Sequence, residues 1–162
     1  MARSTRRSTG RRAKGPRRLT VYSFKVSLHR RKDLYRTIAI GANNSLEDLH
    51  IAIQEAFDWD ADHLYSFFLS GKLWDQDTEY TVLDDEFALD YDLPPSRDTR
   101  KARIRDLGLE VGAKFLYLFD YGDNHMFAVE LIGRGKPVVK DELPTIIDQR
   151  GRSPEQYPDV PE

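Results

Sequence analysis

A chain of 162 residues with 40% apolar side chains is long enough to bury a real core and reads as one domain behind a short arm. It has no cysteine, which excludes disulfides and thiolate metal sites. No apolar run approaches the ~18 residues of a membrane span, nor is there the apolar centre of a signal peptide. The net charge of −2 conceals a division between a basic beginning and an acidic remainder.

Residues 1–18 hold seven Arg and one Lys with no acidic residue, for +8, while the remaining 17 basic and 27 acidic side chains give −10. Beyond Met1 this arm has no large apolar side chain, so nothing offsets the entropy of ordering it, and it is expected to be disordered. Arg6, Arg7, Arg11, Arg12, Arg17 and Arg18 are its candidates for nonspecific contact with nucleic-acid phosphates. The plainer alternative is a solubilising tail. Residues 19–162 then form a single domain.

Leu19 to Leu28 alternates, with Tyr22, Phe24, Val26 and Leu28 on one face, as a half-buried antiparallel strand does. His29 to Asp33 is a polar turn, and Leu34 to Ile40 returns as a second strand with Ile38 and Ile40 inward. Ser45 then caps a helix, with Asp48 three residues on completing a shortened capping box. Leu46, Leu49, Ile53 and Phe57, with Ala52 and Ala56, give that helix an apolar stripe. His50 flanks the stripe and is expected to be packed and hydrogen-bonded to a neighbouring element. Trp59 is expected to close over the helix end.

His63 to Leu69 reads as a third strand, offering Leu64, Phe67 and Phe68 to the core. Thr78 to Leu83 is a short strand candidate, and the acidic runs at 84–86 and 90–95 look solvated. Arg103 to Leu109 reads as one helical turn ending at Gly108. Lys114 to Phe119 is apolar on both faces, which suits a central strand, and His125 to Ile132 pairs with it as a hairpin. Between them, Gly122 and Asn124 are expected to take positive φ, and Asp120 and Asp123 to bond nearby backbone N–H groups. Lys136-Pro137 and Leu143-Pro144 should interrupt any long element, Ile146-Ile147 should dock on the core, and the proline-rich end should be extended.

One cluster merits testing as a site. Asp120, Asp123, His125 and Glu130 are close in sequence, and His63 begins a strand that could neighbour them. Imidazole with carboxylate can hold a metal ion or act as base and orienter. Nucleophilic catalysis and nucleotide binding find no motif, since neither a Ser elbow, a P-loop nor a Rossmann glycine pattern occurs. Tyr22, Tyr65, Tyr117 and Tyr121 could stack nucleobases on a sheet, but an acidic segment repels phosphates, and core filling is the better reading.

Two segments carry a resemblance. Ser45 to Phe67 is similar to the helix-and-strand signature of the plasmid pRiA4b ORF-3-like family, through Ser45, Leu46, Leu49, His50, Ile53, Gln54, Ala56, Phe57, Trp59, His63, Leu64, Tyr65 and Phe67. Phe115 to His125 resembles the family's other hallmark, an aromatic strand followed by Asp-aromatic-Gly-Asp. The strand Tyr22 to Leu28 and the late Gln156-Tyr157-Pro158 also fit, so the likeness spans about residues 19–158. Many relatives continue Gly-Asp-x-Trp-x-His, where this chain has His125 and Phe127 in place of Trp and His. The tail also lacks the cysteine and paired glycines of many relatives.

The resemblance implies an α+β fold, an antiparallel or mixed sheet with one main helix packed across it and a C-terminal β-hairpin. It also implies association with plasmids and mobile elements, and it supplies no established activity. On these grounds the chain is expected to be a non-enzymatic binding or adaptor domain of a bacterial cytoplasm, taking a protein or small ligand, with a nucleic-acid-contacting arm. No catalytic residue, resident metal or cofactor is assigned. A different class is a metal-dependent or acid–base enzyme using His63, Asp120, Asp123 and His125. A third alternative is a domain without a site, in which both motifs serve folding.

Overall fold

The computed structural model describes residues 18–84, 92–139 and 143–156. Seven strands form one sheet: β1 (Arg18–Leu28), β2 (Arg31–Gly41), β3 (Tyr65–Phe68), β4 (Glu79–Thr81), β5 (Lys114–Phe119), β6 (His125–Val139) and β7 (Thr145–Arg150). Their order is β4-β3-β5-β6-β1-β2-β7, and every neighbouring pair is antiparallel. The α-helix α1 (Leu46–Ala56) packs on one face, so the fold is α+β as the sequence predicts.

Alternation decides which side of each strand meets the helix. Tyr22, Phe24 and Val26 of β1, Phe67 of β3, Phe115, Tyr117 and Phe119 of β5, and Phe127, Val129 and Leu131 of β6 are buried with Leu46, Leu49 and Ile53 of the helix and Phe57 just past its end in one core. β5 lies inside the sheet and is apolar on its second face too, where Leu116 and Leu118 join Phe68 in a smaller cluster beside Met126 and Tyr121.

The helix begins where the capping box places it. The Asp48 N–H donates to Ser45 Oγ at 3.1 Å, and the Ser45 N–H donates to Asp48 Oδ2 at 2.9 Å. At its other end the Trp59 N–H donates to the Gln54 carbonyl, and the buried Trp59 ring packs against Phe57 and Phe127. The last helical turn has no basic residue of its own; Arg36 of β2 supplies one, its Nε donating to the Ala56 carbonyl at 3.1 Å. A guanidinium there complements the negative end of the helix dipole. The turn at Ile104–Leu107 is a 3-10 helix that stops at Gly108, whose φ of 67° is left-handed.

Several expectations are corrected. β1 opens at Arg18, which pairs with Val139, so Arg18 belongs to the sheet and not to the arm. Arg6, Arg7, Arg11, Arg12 and Arg17 lie outside the described residues, as does most of the acidic segment at 84–91. Leu64 precedes β3 and is 42% exposed. β6 runs through Lys136-Pro137 to Val139 because beyond Leu131 it pairs with β1 alone, and a strand with one partner accommodates proline. Ile146 and Ile147 do not dock: β7 is the sheet's outermost strand past β2, and both side chains are exposed.

Candidate functional site

The β5–β6 turn is built on the Asp120 carboxylate. Its Oδ1 accepts the Gly122 N–H at 3.0 Å and the Asp123 N–H at 3.3 Å, and the Asn124 N–H donates to its carbonyl at 2.7 Å. The left-handed residues are Asp120, with φ of 61°, and Asn124, with φ of 52°; Gly122 is not among them. Asp and Asn tolerate that region because their short polar side chains bond locally. The sequence expectation holds for Asn124 and for the Asp120 bonds, and is corrected for Gly122.

The other Asp120 oxygen, Oδ2, lies 3.6 Å from Nε2 of His63, which enters from the segment before β3. The antiparallel pairing of Tyr65 with Phe119 brings the two there. Asp123 and His125 complete the group, and the ligand atoms of Asp120, Asp123 and His125 all lie within 4.8 Å of one another. Asp120 is buried, His125 half-buried and Asp123 exposed. Trp59 and Phe119 pack against the His125 ring, at 4.8 and 6.4 Å between centroids, and form the inner wall. Four of the five residues anticipated from the sequence, His63, Asp120, Asp123 and His125, therefore meet at one end of the sheet. Glu130 does not: it sits farther along β6, 3.8 Å from the Lys114 Nζ.

The residues facing this turn bear no site motif of their own. His29, Arg30 and Arg31 were legible as a polar turn, and the basic run was the signal. Their place depends on β1 pairing with β6 across some hundred residues: Leu28 stands opposite Phe127, and the His29 N–H donates to the Met126 carbonyl at 3.0 Å. His29, Arg30, Arg31, Asn124, His125 and Met126 line a cleft of about 490 Å³ together with Leu28.

The other polar groups of the motifs have structural work. His50 is buried and stacks on Tyr65 with centroids 3.5 Å apart. Its Nδ1 lies 2.6 Å from the Tyr117 hydroxyl, which accepts from Gln54 Nε2 at 2.9 Å. Burial lowers the His50 pKa to about 3, so the ring is neutral in the fold. The Tyr121 hydroxyl donates to the Tyr65 carbonyl and meets Ser66 Oγ at 2.7 Å. Ser66 in turn donates to Glu79 Oε2 at 2.7 Å, and burial raises the pKa of that carboxyl. Tyr22, Tyr65 and Tyr117 are buried, so none presents a face to a base. At the tail, Trp59 Nε1 donates to the Pro154 carbonyl, and the Gln156 amide pairs with the backbone of Asp60.

Among the described residues no helix is long and apolar enough to cross a membrane. The chain is 29% identical over 137 residues to the uncharacterized protein y4hQ of Sinorhizobium fredii, covering 83% of this chain. It spans 64% of the length of that relative. Its fold is similar to the crystal structure of MM3350, a protein of unknown function from Methanosarcina mazei Go1, with a TM-score of 0.65 and 22% identity. That likeness covers 85% of this chain and 73% of the other. The model of the family described as plasmid pRiA4b ORF-3-like protein matches residues 20–160. With the capped helix, the aromatic strand and the Asp-Tyr-Gly-Asp turn all inside that match, the chain belongs to the plasmid pRiA4b ORF-3-like protein family.

Proposed function

We propose that this is a binding domain whose site is the Asp120–His125 turn, and that the site holds a divalent transition-metal ion. The observation that carries the reading is the convergence of one ligand atom each from Asp120, Asp123 and His125 within 4.8 Å. Two carboxylates and an imidazole suit zinc, manganese or iron(II). His63, next to Asp120 Oδ2, is placed to join as a fourth ligand or to orient that carboxylate. A scaffold of backbone bonds to Asp120 Oδ1 pre-orders the turn, which lowers the entropy cost of capture.

Titration calorimetry of metal-depleted full-length protein with Zn²⁺ and Mn²⁺ tests this. One equivalent of at least one ion should bind, and Asp123→Asn with His125→Ala should weaken it about tenfold or more. Asp123 is exposed, so its substitution spares the core. Absence of binding, or binding indifferent to both changes, would overturn the reading.

The basic arm supports a second contact, with polyanions, in a bacterial protein of the cytoplasm. With Arg18 in β1, residues 1–17 carry six Arg and one Lys, for +7, against −9 in the rest of the chain. Replacing Arg6, Arg7, Arg11 and Arg12 by Gln in the full chain should reduce binding to duplex DNA and to single-stranded RNA alike. It should also flatten the dependence of affinity on salt. Equal slopes in both proteins would leave the arm as a solubilising tail.

A further inference from the structure

Beside the acidic turn the surface changes sign. The hydrogen bond from His29 to the Met126 carbonyl fixes the β1–β2 turn against the start of β6. It sets His29, Arg30 and Arg31 around the same cleft as Asn124 and His125. His125 thus belongs both to the cluster of candidate ligands and to the cleft wall. Among the described residues neither Arg30 nor Arg31 enters an ion pair.

We propose that this cleft takes a small phosphate monoester, which bridges a metal ion on the turn to the guanidinium groups of Arg30 and Arg31. The inference rests on the metal reading above and names the ligand class of that same site. Charge selects the class. A divalent ion and two arginines, set against Asp120 and Asp123, leave an excess of about two positive charges, and a phosphate monoester carries about two negative charges above its second pKa near ~6. Geometry agrees, because guanidinium forks match phosphate oxygens in pairs while the ion takes a remaining oxygen. A volume of about 490 Å³ leaves room for an organic group besides the phosphate, and Leu28 and Met126 give it apolar contact.

The test uses full-length protein loaded with the ion, titrated with phenyl phosphate and with inorganic phosphate. Phenyl phosphate should bind, and tighter than inorganic phosphate. Arg30→Gln with Arg31→Gln should weaken it about tenfold or more, as loss of charge-assisted hydrogen bonds requires. Affinity for the ion itself should not change in that variant, nor should the melting temperature, since both side chains are exposed, Arg30 on the β1–β2 turn and Arg31 at the first position of β2. Phosphate binding of equal strength in wild type and variant, or none to the loaded protein, would overturn the inference and leave the metal site standing. Binding of a single-stranded oligonucleotide at Arg30 and Arg31 without binding of phenyl phosphate would also overturn it. Failure of the ion to bind would instead remove the metal reading, and the bridge with it.

Discussion

His50 illustrates how a single buried imidazole ties pH to stability. In the fold it is held neutral, with a pKa lowered to about 3 by desolvation, while in the unfolded chain it titrates near its ordinary 6.5. Between those values the unfolded state holds the extra proton, so stability rises with pH, is complete above about 6.5, and drains away as pH falls toward 3. A His50→Gln variant, which keeps a polar partner for the Tyr117 hydroxyl, should lose part of this slope. Urea midpoints measured from pH 7 to pH 4 should fall less steeply in the variant than in wild type; parallel curves would contradict the assignment. The periodicity of the helix marked His50 as packed, but its partner Tyr117 lies 67 residues away and could not be read from local pattern. Arg36 is the same lesson with no warning at all, because its value lies in reaching the end of a helix that follows it by twenty residues.

The β5–β6 turn puts its conformational demands on Asp120 and Asn124, with φ of 61° and 52°. Two substitutions separate this from a glycine-driven turn. Gly122→Ala should change stability by less than about 0.5 kcal/mol, since its φ is not left-handed and a Cβ would meet only Asp120 Oδ1 at 3.4 Å. Asn124→Ala should cost about 1–2 kcal/mol for a left-handed residue without local side-chain bonds. Equilibrium unfolding of both variants checks the order, and a larger loss at Gly122 would contradict it. Elements whose signals are local were legible: the Ser45–Asp48 box, the Gly108 stop and the apolar β5 all stand where the pattern puts them. Elements whose fate depends on distant neighbours were not. Ile146 and Ile147 look like core residues until the sheet order leaves β7 outermost. Pro137 looks like a breaker until β6 proves to have one partner there.

The described residues form one seven-stranded sheet with α1 on one face, and that arrangement explains why the candidate site lies at one end. Pairing of β3 with β5 brings His63 to Asp120, and pairing of β1 with β6 brings His29 and the two arginines to His125. The acidic half of the site was legible because Asp120, Asp123 and His125 lie within six residues of one another. The basic half required the long-range β1–β6 register. Function at that end of the sheet turns on whether it holds a metal ion. Paramagnetic line broadening by Mn²⁺ in the NMR spectrum of the isotope-labelled full chain decides it most directly, because it locates the ion. Substoichiometric Mn²⁺ should broaden the amide signals of residues 120–125 and the ring signals of His63 and His125 before any others. Broadening spread over the exposed carboxylates, or none near the turn, would contradict it.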